Sequence, residues 1–477
     1  MRAVYPSGLR GRIANPLFRG FESHHGLFPA GGIPTQRLIT RLLAALMLVC
    51  LAPPALAIPP RVVEITPDQG DVDVDPGLKR FTVKFDQPMS REGFSIVGGG
   101  ETFPEVPMRG RWLSDTTFIL PVRLEPGREY RFSVNSESFN NFRNVHGEPA
   151  VPYPVSFWTA EGDDAERLTP EQNEEAVDAL LDLLTTRYSH RERLGIDWGA
   201  RVETYRERLV GAETPLSFAR LAARLLASAK DKHVWVETGD HRLGTHIDPV
   251  TPNANPRRLP ELIDDYERHN GAVATGTLPG GAVYLAIDSW GFTDPALLEP
   301  AFEAIEQAAD SHGLILDVRM NGGGNELLAQ QIAGCFIDEP VLYATHVFVT
   351  DDGGFTAPAE RWLRPNEDRP TYEGPVAVLT GPVVMSSNEA FLLMMRQVAG
   401  ARLFGASSQG SSGNPRQHEL PNGVSVYLPS WISMTPEGEG FEGEGLEPDV
   451  EIEATPEDFA GRDPVLDAAL EWIRAGG

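Results

Sequence analysis

The second half of the sequence repeats one pattern, an apolar run followed by a loop and a helical stretch. The apolar runs are GAVYLAI at 281–287, GLILDVR at 313–319 and PVAVLT at 375–380. Nearly continuous apolar strands that alternate with helices are typical of a layered α/β domain whose sheet is largely parallel. We therefore expect an α/β core over residues 272–476.

The preceding residues follow other patterns. Over 58–160 apolar and polar residues alternate, as in FTVKF at 81–85 and YRFSV at 130–134, which predicts an antiparallel β-sandwich. An acidic linker at 160–165 then leads to helical stretches over 166–240, the first starting at a capping box formed by Thr169 and Gln172.

Residues 1–57 have the order of a secretory signal peptide. Arg37 and Arg41 precede a short apolar run, and the small-residue tripeptide Ala55-Leu56-Ala57 follows. We expect cleavage there, an exported protein in the periplasm or outside the cell, and no membrane span in the mature chain. The net charge of −27 disfavours nucleic-acid partners. Only Cys335 would remain after cleavage, so neither an internal disulfide nor a cysteine-based metal site is expected.

Two adjacent serines lie where a helix is expected to begin. Ser386 and Ser387 follow the strand that ends at Thr380, and free backbone N–H groups at a helix N-terminus can stabilise a developing oxyanion. A serine at this position is also a common helix cap without catalytic function. The position alone does not separate the two interpretations.

Two further segments could contribute to the same chemistry. The glycines of NGGG at 321–324 would bring backbone amides close to a ligand, although a plain glycine-rich turn fits equally well. His233 follows a helical stretch and could act as a general base, although a lone histidine is more often structural.

The order of several blocks resembles the tail-specific (C-terminal processing) and tricorn-core serine peptidases, family 41. The matching blocks are Asp231-Lys-His233, YLAIDSWGF, LILDVRMNGGGN, VVMSSNEAF, ARLFGASSQG and FEGEGLEPDVEI. The resemblance spans about residues 168 to 475 and implies an α/β spiral core of the crotonase and caseinolytic-protease type. The β-sandwich segment resembles bacterial immunoglobulin-like domains, which implies a spacer or adhesion module.

The resemblance also implies roles for individual residues. The family's Ser-x-x-Glu register makes Ser386 the nucleophile, and its Asp-x-His makes His233 the general base. The family's acid block implies Glu442 as the partner of the imidazole, with Glu444 as the alternative. The implied oxyanion donors are the amides of Ser387 and of Gly323 or Gly324, and no metal is implied.

The sequence departs from the family at two points. The turn at 407–411 has no lysine, which excludes a Ser–Lys dyad, and the 47 residues between His233 and Gly281 are too few for the family's PDZ domain. We expect a serine-type endopeptidase that acts on proteins or peptides without a cofactor, its oligomeric state left open. A carboxylate bonded to His233 would raise the pKa of the imidazole. The alternative is a non-catalytic protein that binds a ligand or another protein.

Overall fold

The computed structural model describes residues 59–477 apart from 73, 137, 163, 164 and 247–249. The predicted signal peptide at 1–57 therefore lies outside the described residues. Within the part of the chain that is described, no helix is both long and apolar enough to cross a membrane.

Two β-sheets form the N-terminal part. The first sheet has the order β1-β2-β5-β4 and the second the order β3-β6-β7. Their strands are β1 (Val62–Thr66), β2 (Arg80–Phe85), β3 (Ile96–Val97), β4 (Arg111–Trp112), β5 (Thr117–Pro121), β6 (Glu129–Val134) and β7 (Tyr153–Trp158). The buried residues alternate along β2 and β6 as predicted. Phe81 of β2 and Phe132 of β6 stack across the two sheets with ring centroids 4.9 Å apart. The two sheets therefore enclose one apolar core.

Three helices follow and pack against a small sheet. They are α1 (Pro170–Thr186), α2 (Trp198–Val210) and α3 (Pro215–Leu226). The predicted capping box at the start of α1 is present, because Thr169 and Gln172 exchange side-chain and backbone hydrogen bonds. The small sheet has the order β18-β19-β8-β9, from β8 (Trp235–Thr238), β9 (His241–Gly244), β18 (Pro415–Glu419) and β19 (Ser425–Pro429). Because β8 pairs with β19, this sheet joins the helical segment to the C-terminal part of the chain.

The C-terminal part is built on a seven-stranded sheet of order β10-β11-β12-β13-β16-β17-β21. Its strands are β10 (Asp264–Arg268), β11 (Val273–Leu278), β12 (Ala282–Ile287), β13 (Leu314–Asp317), β16 (Val376–Thr380), β17 (Ala401–Gly405) and β21 (Val450–Glu451). The pairs from β12 onward are parallel, as the apolar runs predict. Apolar clusters cover both faces, together with α4 (Leu259–Leu262), α5 (Glu299–Ala308), α6 (Glu326–Ala333), α7 (Ser387–Met395) and α8 (Pro464–Arg474).

A buried ion-pair network fixes α8 to the sheet. Arg319 follows β13 and is 1% exposed. Its guanidinium contacts Asp317 at 2.7 Å and Asp463, the residue that caps α8, at 2.8 Å. A guanidinium this deeply buried requires both carboxylates, because an unpaired buried charge would cost several kcal/mol, roughly 3–5.

A separate three-stranded sheet lies beside the end of α7. Its order is β15-β14-β20, from β14 (Val341–Phe348), β15 (Ala359–Leu363) and β20 (Trp431–Met434). His346 of β14 and Trp431 of β20 lie side by side, with ring centroids 4.7 Å apart. These rings form one wall of the cleft at Ser386.

Candidate active site

Ser386 lies in the turn between β16 and α7, immediately before the first residue of the helix. Its backbone has φ of +60° and ψ of −132°, a region that residues with a side chain rarely occupy. The backbone N–H of Ser386 donates to the carbonyl of Ser411 at 2.8 Å and to the carboxylate of Glu389 at 3.2 Å. These bonds hold the strained turn, as in the sharp strand-to-helix turns that expose nucleophilic serines.

The side chain of Ser386 faces His233. Its Oγ lies 3.1 Å from Nε2 of the imidazole, and the helix N–H of Glu389 bonds the Ser386 carbonyl instead of this hydroxyl. The hydroxyl is therefore directed at the histidine. The structure brings together the two residues that the sequence analysis assigned as nucleophile and base.

A buried carboxylate orients the backbone that carries His233. Asp231 Oδ1 accepts the backbone N–H of His233 at 2.8 Å, and Asp231 Oδ2 accepts the hydroxyl of Tyr188 at 2.9 Å. Because Asp231 and Tyr188 are each 1% exposed, this pair provides a rigid support for the turn before β8.

The direct contact expected between Glu442 and the imidazole is not formed. Nδ1 of His233 lies 2.9 Å from Oγ of Ser411. Glu442 accepts instead from the backbone N–H of Ser412 at 2.7 Å and from its hydroxyl at 3.0 Å. The segment with Ser411 and Ser412 thus lies between the carboxylate and the ring. Glu444, the alternative acid, is exposed.

The environment shifts the pKa of His233 in the direction opposite to the one expected. Burial, with a contribution from the charge of Arg242, lowers the pKa of the imidazole to about 4. The expected rise of this pKa required a carboxylate bonded to the imidazole, because a negative charge stabilises the protonated ring. The partner found, Ser411, is neutral and does not stabilise the imidazolium by charge.

The amide of Gly323 is already occupied. Its N–H donates to the side-chain oxygen of Asn321 at 2.8 Å, so the prediction that Gly323 could be an oxyanion donor is wrong. The N–H groups of Gly324 and Ser387 have no acceptor among the described residues. The hydroxyl of Ser387 donates to the carbonyl of Gly324, which links the two donors. Gly324 and Ser387 remain as the candidate pair.

Glu389, the glutamate of the Ser-x-x-Glu register, is itself a part of the site. This fully buried carboxylate accepts from four donors: the amides of Ser386, Gly410 and Ser411 and the hydroxyl of Ser408. Burial raises its pKa to about 7, against the lowering effect of these bonds. Glu389 thus ties the nucleophile's turn to the segment that carries Ser411.

The sequence contains partial signals for Glu389 and Ser411, the two residues of the site that it did not identify directly. Glu389 stands three residues after Ser386, the spacing of a capping box. Ser411 belongs to the turn at 407–411, which differs from the family pattern by its missing lysine.

A cleft of about 460 Å³ opens beside Ser386 and His233. Aromatic and small side chains line it, among them Phe441, Trp431 and Ala390. An ion pair between Glu326 and Arg361, 2.9 Å apart, also borders it. The cleft is large enough for a substrate side chain next to the serine.

Comparison with known proteins gives the same assignment for this part of the chain. Residues 281–452 match the model of peptidase family S41. The tricorn protease of Thermoplasma acidophilum is 27% identical over 164 residues, which are 34% of this chain and 14% of that protein. Tricorn protease homolog 1 of Streptomyces coelicolor is 30% identical over 178 residues, which are 33% of this chain and 14% of that protein. The chain thus spans about a seventh of the length of these relatives.

One solved structure covers more of the molecule. A crystal structure of a candidate peptidase from Parabacteroides merdae aligns with a TM-score of 0.57 and 25% identity, over 65% of this chain and 98% of that one. The similarity therefore extends well beyond residues 281–452. Residues 281–452 therefore carry a domain of the peptidase family S41 type, and the chain is similar to members of that family.

Proposed function

We propose that the protein is a serine peptidase that cleaves peptide bonds, with Ser386 as nucleophile and His233 as general base. The observation that carries this proposal is the 3.1 Å contact between Ser386 Oγ and His233 Nε2, formed at a strained strand-to-helix turn. A nucleophile and a base within hydrogen-bond reach, with the base held by further groups, is the arrangement that acyl transfer requires.

The geometry supports a two-step reaction. The hydroxyl oxygen of Ser386 attacks the carbonyl carbon of the peptide bond, and its proton passes to Nε2 of His233. The N–H groups of Ser387 and Gly324 stabilise the oxyanion that forms. The imidazolium then protonates the leaving amine, and the acyl-enzyme remains. A water molecule, deprotonated by His233, hydrolyses the ester and restores Ser386.

Ser411 takes the position that the sequence analysis gave to an acid. Nδ1–H of His233 donates to Ser411 Oγ, which fixes the tautomer whose Nε2 can accept the proton of Ser386. Glu442 acts through Ser412, the neighbour of Ser411 in the chain. In this proposal Ser411 and Glu442 are positioning residues, while Ser386 and His233 touch the substrate.

The finer features of architecture and location are part of the same proposal. We propose that 58–160 is an immunoglobulin-like module, that 166–240 is the helical part of the peptidase, and that 272–476 is a core of the crotonase type. The two sheets around one core and the parallel sheet with helices support these assignments. Export to the periplasm or the cell exterior rests on residues 1–57.

Labelling with a fluorophosphonate probe tests the proposal directly. The probe should modify Ser386, identified by peptide mapping, and Ser386→Ala should abolish both labelling and peptide hydrolysis. Loss of the nucleophile of a triad costs about 10⁶-fold in turnover.

Ser387→Ala is the matched control, because it keeps the backbone amide and loses only the bond to Gly324. It should retain labelling. Modification of Ser387 in the parent protein, or undiminished labelling of Ser386→Ala, would refute the assignment. A parent protein that takes no label would favour the non-catalytic binding alternative.

A further inference from the structure

A second cluster of polar side chains lies behind His233, away from Ser386. His190 comes from the turn after α1, Asp231 from the turn before β8, and Glu442 from the loop after β20. Each residue has one nitrogen or oxygen atom that could bind a metal ion, and these three atoms lie within 4.8 Å of one another. The side chains of His190 and Glu442 are 3% and 7% exposed, and Asp231 is 1% exposed. The three groups therefore meet in the interior.

His190 points an unpartnered nitrogen into this cluster. Its Nε2 is buried and makes no hydrogen bond to any described residue. The nearest carboxylate oxygen, Glu442 Oε2, lies 3.6 Å away, which is too long for a hydrogen bond. The tautomer of His190 with its proton on Nδ1 has a bare lone pair on Nε2.

The two carboxylates receive their hydrogen bonds from outside the cluster. Asp231 accepts from Tyr188 and from the backbone of His233, and Glu442 accepts from Ser412. Burial raises the pKa of both carboxyl groups. When both carboxylates are ionised, the three residues present only acceptors toward one another.

The nearby cation does not fill this space. The guanidinium of Arg193 donates to the backbone carbonyls of Ala229 and Lys230. Its charge acts on Asp231 through space, but among the described residues no ion pair joins its guanidinium to Asp231 or Glu442. Three buried acceptors that face one another repel unless a proton or a metal ion lies between them.

We propose that His190, Asp231 and Glu442 form a binding site for a divalent transition-metal ion, with Zn²⁺ as the best fit. Zinc takes imidazole nitrogen and carboxylate oxygen at about 2.0–2.2 Å, and three protein ligands leave a fourth position for water. A ligand histidine that donates its other N–H to a backbone carbonyl is the usual arrangement around such an ion. Calcium fits poorly because it prefers six to eight oxygen ligands.

The site would position the catalytic groups without touching the substrate. Asp231 holds the backbone N–H of His233, and Glu442 holds Ser412 beside Ser411. An ion bound to both carboxylates would fix the two segments that flank the imidazole. Zinc binding at these three residues does not involve Ser386, so it can be measured separately from the peptidase activity.

Metal binding can be measured on the full chain, expressed without a histidine tag and stripped with EDTA. Titration with Zn²⁺, followed by dialysis and elemental analysis, should give one zinc per chain. Co²⁺ at the same site should show the visible absorption of a four-coordinate ion. An excess of Ca²⁺ should not displace either ion.

Three variants separate this site from adventitious binding. Glu442→Gln is nearly isosteric and should weaken zinc binding at least about 10-fold, and His190→Ala should do the same. Glu444→Gln changes an exposed carboxylate in the same loop and should bind like the parent. Circular dichroism establishes that each variant is folded.

Two results would overturn the proposal. The first is the absence of saturable zinc binding by the parent protein, which would mean that a proton lies between these acceptors. The second is unchanged zinc content in folded Glu442→Gln. Labelling of Ser386 by the fluorophosphonate, measured on the same samples, reports separately on the proposed peptidase.

Discussion

Ser411 Oγ lies 2.9 Å from Nδ1 of His233, on the side of the imidazole that faces away from Ser386. The same residue's carbonyl accepts the backbone N–H of Ser386 at 2.8 Å. Ser411 therefore contacts both the nucleophile's backbone and the base's ring, and it links the two in a fixed geometry.

Replacing Ser411 with alanine should lower turnover while leaving substrate binding unchanged. The backbone bond to Ser386 remains, but the imidazole loses the partner that selects its tautomer. We expect kcat to fall about 10- to 100-fold with little change in KM, less than the whole contribution of a general base, about 10²- to 10⁴-fold.

Steady-state kinetics on a peptide substrate measures this effect, and Ser407→Ala is the control. Ser407 belongs to the same turn but makes no hydrogen bond to His233. Equal kinetics for Ser411→Ala and Ser407→Ala would show that Ser411 does not orient the base.

Removing the carboxylate of Glu389 should destabilise the fold. Glu389→Ala leaves three buried donors without an acceptor, the amides of Gly410 and Ser411 and the hydroxyl of Ser408, at a cost of at least about 3 kcal/mol in the free energy of unfolding. Glu389→Gln keeps one acceptor oxygen and should fall between the parent and alanine. Urea unfolding, followed by tryptophan fluorescence, gives these values. Equal stability of the parent and Glu389→Ala would contradict the structural role.

The sequence predicted the parts of the site that follow from local patterns. The apolar strand and the helix after it place Ser386 at a helix N-terminus, and the Ser-x-x-Glu register distinguishes it from Ser387. His233 follows from the family's Asp-x-His. The alternation in Phe81–Phe85 likewise predicts which residues of that strand are buried.

The remaining contacts depend on chain segments that are distant in sequence. Ser411 and His233 are 178 residues apart, so no spacing rule identifies them as partners. The acid block places Glu442 near the site. Only the folded chain shows that the carboxylate of Glu442 accepts hydrogen bonds from Ser412 and not from His233. The prediction for Gly323 is wrong for a local reason, because its backbone N–H already donates to the side-chain oxygen of Asn321.

Arg220 of α3 should couple the N-terminal sheets to the rest of the molecule. It is 4% exposed, donates to the carbonyls of Val72 and Thr159, and lies 4.4 Å from the ring of Trp158. Arg220→Ala should lower the free energy of unfolding by about 2–4 kcal/mol, since two charged hydrogen bonds and a cation–π contact are lost.

Calorimetry measures this change, with Arg208→Ala, an exposed residue of α2, as the control. Loss of the Arg220 contacts should also separate unfolding into two transitions, as expected when an interface between two folded units is weakened. A single transition at the parent's temperature would show that Arg220 does not hold the interface.

The activity of the protein should depend on pH, and the acidic limb of its pH profile should lie at an unusually low pH. Only neutral His233 can accept the proton of Ser386, and its pKa is lowered to about 4. The neutral fraction rises with pH through that value, so kcat/KM should be flat from about pH 6 to 8 and fall below about pH 5, whereas an unperturbed histidine titrates near 6.5. A cation bound at Asp231 and Glu442 would lower the pKa of His233 further, in the same direction.

The pH profile should be recorded only where circular dichroism shows folded protein. Between the folded and unfolded pKa values of His233 the unfolded chain binds more protons, so the contribution of this group to stability falls as the pH decreases. Arg242→Ala removes a charge that lowers the pKa and should move the limb to higher pH, whereas Arg208→Ala should leave it in place. Titration of Glu389, whose pKa is raised to about 7, could also produce a limb near pH 7. A limb near pH 7 that persists in Glu389→Gln would therefore reject His233 as the buried, neutral base.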